Sequence, residues 1–131
     1  VSDAWAHARG TIESRYAAGS PERAELDLIV PADGQWEDSG TGYVVHSLRA
    51  ALTLTGAVPR AGRSVGPVDY ATVVKGAIAL GDDTDTTACI AGGIAGLVVG
   101  EGGIPPRWRA ALRGRELLDP LLAALTAQSS R

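Results

Sequence analysis

The sequence predicts an all-α protein, and three observations carry that expectation. Apolar residues recur at spacings of three and four along residues 43–56, 67–80 and 85–99, the period of one helix face. Glycine and proline punctuate these runs where helices would start or stop, at Gly56, Pro67, Gly81 and Gly114. No segment pairs alternating apolar residues with a second such run, so nothing asks for a sheet. The expected architecture is an irregular bundle of about five or six helices.

In chain order, residues 3–18 read as a first helix. Trp5, Ala8, Ile12, Arg15 and Tyr16 share a face, Ser2 or Asp3 offers a cap, and Gly19-Ser20-Pro21 ends the run. A short helix at Pro21–Leu26 follows. Leu28, Ile29 and Val30 have strand-like side chains, but Pro31-Ala32-Asp33-Gly34 comes at once, so the segment reads as a connection. The helix at 43–56 is entered through Ser39-Gly40-Thr41-Gly42, a loop whose free N–H groups and glycines suit a phosphate or a ribose. His46 lies one position off its apolar face and reads as a partly exposed helix residue. Arg60–Gly66 reads as a loop, and Pro67 suits the first turn of the helix at 67–80.

The helix at 85–99 carries Gly92, Gly96 and Gly100 four apart. Each glycine costs about 1 kcal/mol relative to alanine inside a helix, so close packing on a neighbouring helix is the expected reason. Its apolar stretch of about 13 residues falls short of the ~20 that a membrane span needs. Pro105 and Pro106 start a short helix over 104–112, with Trp108 and Leu112 packed and Arg107, Arg109 and Arg113 facing water. A last helix at 115–127, interrupted or kinked at Pro120, would bury Leu117, Leu118, Leu121, Leu122 and Leu125, and Gln128–Arg131 reads as a frayed tail.

The chemistry concentrates in Gly81-Asp82-Asp83-Thr84-Asp85-Thr86-Thr87-Ala88. Three carboxylates fall within four positions, between two apolar helices, and no Lys or Arg occurs between Lys75 and Arg107. Ionised carboxylates held near a core are costly unless something positive meets them. One aspartate here would be an ordinary helix N-cap, favoured by the backbone dipole. Three exceed what capping requires, and their oxygens together with threonine hydroxyls suit a hard divalent cation. The spacing is not that of an EF-hand, and no Gly-Lys-Ser/Thr makes a P-loop.

Composition narrows the rest. The 131 residues suit one domain, 45% apolar content is ordinary, and a net charge of −3 gives no electrostatic ground for nucleic-acid binding. The single cysteine, Cys89, excludes an internal disulfide and fits a reduced, cytoplasmic setting. Val1-Ser2-Asp3 shows no signal-peptide pattern. With no methionine anywhere, the chain is expected to be either a fragment or one that begins at Val1 as an alternative start.

The wording of the acidic stretch, Asp83-Thr84-Asp85-Thr86-Thr87-Ala88 followed by Ile90-Ala91-Gly92 and Ile94-Ala95-Gly96, resembles the C-terminal metal motif of the ADP-ribosylglycohydrolase family. Gly40-Thr41-Gly42-Tyr43-Val44-Val45-His46-Ser47-Leu48 resembles that family's upstream Ser/Thr-Gly-Tyr-Val segment, and Ile104-Pro105-Pro106-Arg107-Trp108 its Ile-Pro-x-x-Trp. The three stand in the family's order and span about residues 36–113. The resemblance implies an all-α bundle of the ADP-ribosylglycohydrolase type, here its C-terminal half. It implies hydrolysis of the bond between ADP-ribose and a modified protein side chain or small acceptor. Asp83, Asp85 and Thr86 would be ligands of a dinuclear magnesium or manganese site, and Gly40, Gly42 and Tyr43 would line the ADP-ribose pocket.

By the same resemblance, the remaining metal ligands and the catalytic residues belong to an N-terminal half with a Thr-Asp-Asp-Thr motif, absent before Gly40, or to a second chain. The alternative is a non-enzymatic relative that keeps half of the metal site as a binding or structural module. One departure stands out: Asp82 replaces the motif's second glycine. Aspartate tolerates the left-handed backbone region better than most residues, which would preserve the turn; alternatively its charge alters the metal preference.

Overall fold

The computed structural model describes residues 2–31, 36–58 and 66–129. Within them the chain is helical throughout and contains no strand: α1 Ser2–Arg15, α2 Pro21–Ile29, α3 Val44–Leu54, α4 Tyr70–Ala79, α5 Thr84–Val99, α6 Pro106–Ala111 and α7 Arg115–Ser129. A single 3-10 turn, Glu101–Gly103, joins α5 to α6. The all-α expectation holds, with seven α-helices among the described residues.

The core forms where α5 packs against both α3 and α4. Its buried residues are small: Ala51, Val73, Ala77, Ala91 and Ala95, with Leu54, Tyr70 and Ile94 closing around them. Small side chains let the helix axes approach, which is the packing role foreseen for the glycines of α5. Gly92 fills that role, because a Cβ there would stand 3.2 Å from the Tyr70 hydroxyl and 3.4 Å from Val74 Cγ2. Gly96 has only ordinary contact with the Tyr70 ring at 3.8 Å. Gly100 is there for another reason. Nothing would meet its Cβ, but it caps α5 at φ 66°, the left-handed region that glycine enters freely. A second cluster, Leu52, Ala57 and Val58, is covered by Trp5 of α1, by Ile29 and Val30, and by Trp36.

Several boundaries moved, each for a local reason. Ser20 caps α2, its hydroxyl accepting the Arg23 N–H at 3.4 Å, and Pro21 opens the first turn. The helix then runs on through Leu28 and Ile29 rather than ending at Leu26. Arg49 holds its end by donating to the carbonyls of Ile29, at 3.0 Å, and Leu28. Pro67 lies outside α4, because Asp69 is the cap and its carboxylate accepts the Thr72 N–H at 2.8 Å. Helix α1 ends at Arg15 and buries none of its residues fully; its Ile12 and the following Tyr16 remain exposed, and its Trp5 is the half-buried anchor.

Helix α7 continues through Pro120 without interruption and reaches Ser129 instead of fraying at Gln128. Its leucines, expected to be buried, stay exposed: Leu117 and Leu121 retain 73% and 68% of their surface. Trp108 of α6 packs edge-on against Tyr70 at 6.0 Å, but Leu112 is exposed, and Arg109 turns to Glu101 at 2.8 Å rather than to water. The loop read at 60–66 and the turn at 31–34 fall largely outside the described residues. No helix among the described residues is long and apolar enough to cross a membrane.

Candidate functional site

The acidic stretch is the corner between α4 and α5. Gly81 and Asp82 both take positive φ, 78° and 53°, so the chain turns sharply out of α4 with an aspartate in the left-handed region where the family motif has glycine. The turn survives the substitution, as the tolerance of aspartate for this region allows. Asp83 then caps α5, its Oδ1 accepting the Thr86 N–H at 3.4 Å. Capping therefore accounts for Asp83. It accounts for neither Asp82 nor Asp85, both exposed and without an ion-pair partner among the described residues.

The glycine loop before α3 lies directly against this corner. The Asp83 N–H donates to the Gly40 carbonyl at 2.8 Å, a backbone bond across more than forty residues of chain. Gly40 is buried. A Cβ there would collide with the Gly81 carbonyl oxygen and stand 3.3 Å from Leu80 Cβ. A Cβ on Gly42 would run into the Asp83 carboxylate, with Cγ at 2.9 Å, and Gly42 itself needs φ 73°. The sequence-predicted residues Gly40, Gly42 and Asp83 are thus brought together, and only glycine fits at both loop positions.

Tyr43 ends the loop as the residue preceding α3. Its ring is half exposed and meets His46 edge-on at 5.3 Å, and its hydroxyl reaches Glu25 at 3.5 Å. His46 Nδ1 lies 2.8 Å from the Thr41 hydroxyl, tying the loop to the first turn of α3. Helical periodicity places His46 off the apolar face and assigns it no such part; the Thr-to-His spacing of five across a helix start was the available signal. Glu25 had none, because it comes from α2, eighteen residues away from Tyr43.

Electrostatically the corner favours an ionised Asp83. The Thr86 hydroxyl, then the Asp85 carboxyl, hydrogen-bond the Asp83 carboxylate and hold its pKa below the ordinary value. Partial burial opposes them more weakly. Asp83, Asp85 and Thr86 thus bring three oxygen-bearing side chains together at the corner. All three are oxygen donors and no basic side chain among the described residues neutralises them, which fits a hard cation. They amount to a partial set, since no group of three or more His, Cys, Asp or Glu side chains is assembled to hold a metal among the described residues. Beneath them Thr87 is fully buried, and its hydroxyl has no partner among the described residues.

The all-helical core thus presents an aspartate-threonine corner against a glycine loop. The ADP-ribosylglycohydrolase family model matches residues 1–131, and the chain belongs to that family. The match extends to both ends of the chain, beyond the three motifs at about 36–113. Members of the family are generally metal-dependent. Comparisons with curated proteins and with solved structures returned no match.

Proposed function

We propose that this chain forms part of a site that hydrolyses the glycosidic bond between ADP-ribose and a modified protein side chain or small acceptor. The products are free ADP-ribose and the restored acceptor. The observation that supports this most directly is the 2.8 Å bond from Asp83 to Gly40, which joins the cation-binding corner to the loop suited to a nucleotide sugar.

Asp83, Asp85 and Thr86 would hold magnesium or manganese, and the lowered pKa of Asp83 keeps that carboxylate charged for the purpose. When bound, such an ion polarises the glycosidic bond or the water that attacks it. Three donors are about half of what an octahedral ion requires, so the remaining ligands come from outside these residues. Helix α3 begins without a side-chain cap, which leaves its first-turn N–H groups and the helix dipole for a diphosphate. The half-exposed ring of Tyr43 offers a face to the sugar or base. Gly40 and Gly42 keep this loop free of side chains where it meets Asp83.

The partial ligand set favours a second reading, in which the chain binds its ligand without turning it over. Titrating ADP-ribose into the isotope-labelled chain tests what the two share. The amides of Gly40, Gly42 and Tyr43 should shift, and AMP or ribose alone should move fewer of them. If those three amides stay still at millimolar ADP-ribose, the proposed site is wrong. Release of ADP-ribose from a modified protein, lost in Asp85→Asn, separates the hydrolase from the silent binder.

A further inference from the structure

Beyond the corner, an apolar crevice of about 330 Å³ opens between α1, α2 and the start of α3. Its walls are Ile12, Leu26, Ile29 and Val45, and among the described residues the charged side chains that line it are Glu22 and Glu25. The nearby cations are engaged elsewhere. Arg9 pairs with Glu13 at 2.9 Å and Asp27 at 2.7 Å, and Arg23 pairs with Glu13 at 3.2 Å. Glu22 and Glu25 therefore line the crevice mainly through their stems, with their carboxylates at its rim, and neither has a basic partner among the described residues. The Glu22 carboxyl is held below its ordinary pKa, first by its own backbone N–H and then by the Ser20 hydroxyl, so it stays ionised.

The crevice adjoins the loop of the proposed site. Val44, next in the chain to Tyr43, lines it, and the Glu25 carboxylate accepts the Tyr43 hydroxyl at 3.5 Å. Apolar walls with two carboxylates select a particular guest. A neutral apolar guest would fill the walls but leave the two carboxylates at the rim unpaired, and an anion would be repelled. A long aliphatic stem that ends in a cation satisfies both the walls and the acids.

We infer that this crevice binds an arginine or lysine side chain of the target protein, beside the residue that carries the ADP-ribose. That the target is a protein rests on the proposed function. The preference for a cationic side chain rests on the crevice alone.

The test is a titration of the isotope-labelled 131-residue chain with N-acetyl-arginine amide and N-acetyl-lysine amide, against the citrulline and norleucine amides as neutral counterparts. The cationic amides should shift Leu26, Ile29, Val44 and Val45 and bind about fivefold or more tightly than the neutral ones. The double variant Glu22→Gln, Glu25→Gln should abolish that preference while its spectrum stays that of a folded chain. Equal binding of norleucine amide would reduce the crevice to an apolar hollow and overturn the inference. So would shifts confined to other residues, or shifts at these four that follow protein concentration alone, which would mean that a second copy occupies the crevice. The ADP-ribose response at Gly40, Gly42 and Tyr43 reads out separately on the same sample, so failure of one proposal is distinguishable from failure of the other.

Discussion

Gly42 lies against Asp83 with no room for a side chain between them: a Cβ on the glycine would stand 2.9 Å from the Asp83 Cγ. The same aspartate caps α5 and takes the Gly40 carbonyl on its backbone N–H. One residue thus fixes the start of a helix, the seam between two loops and the proposed cation site.

Gly42→Ala should therefore act on both stability and ligand geometry. The methyl must displace the carboxylate, and the φ of 73° adds strain for any residue with a Cβ. The expected loss is roughly 2 kcal/mol, from overpacking and left-handed strain together. Denaturant unfolding measures it. Hydrogen exchange at the Asp83 amide should also quicken, because its bond to Gly40 loosens; an unchanged exchange rate would show that the seam does not depend on Gly42.

Asp82→Gly should move stability the other way. At φ 53° the aspartate pays a cost that glycine avoids. The variant should gain about 0.5–1 kcal/mol in the same unfolding measurement. A loss would mean that the Asp82 carboxylate makes a stabilising contact.

Thr87 is fully buried, and its hydroxyl lacks a partner among the described residues. Thr87→Val keeps the shape and removes the unsatisfied group, so thermal unfolding should show a gain of about 1 kcal/mol. Destabilisation by a similar amount would reveal that something satisfies this hydroxyl beneath the proposed site.

How far the sequence reached depends on the range of the forces involved. Helical period and glycine punctuation foresaw α3 and α5 closely, because burial of one face decides them. They found α2 and α4 but missed one end of each, because those ends are set by single polar groups: Arg49 on the Ile29 carbonyl and Asp69 on the Thr72 N–H. The exposed leucines of α7 escaped them too, since amphipathic spacing says which residues share a face and not what covers that face. The acidic corner that carries Asp83, Asp85 and Thr86 stood out because these residues fall within four positions of one another. The contacts of Tyr43 with Glu25 and of Asp83 with Gly40 did not, because they join distant segments.

The caps also carry a pH dependence. The Thr72 hydroxyl and N–H bond the Asp69 carboxylate and lower its pKa. A lowered folded-state pKa stabilises the protein above the unfolded value, about 3.9 for aspartate, and that stabilisation fades as pH falls through the folded value. Asp69→Ala should melt below the parent at pH 7, and the gap should close progressively below about pH 4. A gap that stays constant down to pH 2 would contradict the cap's ionic character.

The most direct test of the central claim is paramagnetic broadening by manganese of the amide spectrum. On adding substoichiometric Mn²⁺ to the chain, Asp83, Asp85 and Thr86 should broaden first and Gly40 to Tyr43 next, and Asp85→Asn should abolish the selectivity. Broadening spread evenly over the other acidic residues, or centred away from the α4–α5 corner, would contradict the account.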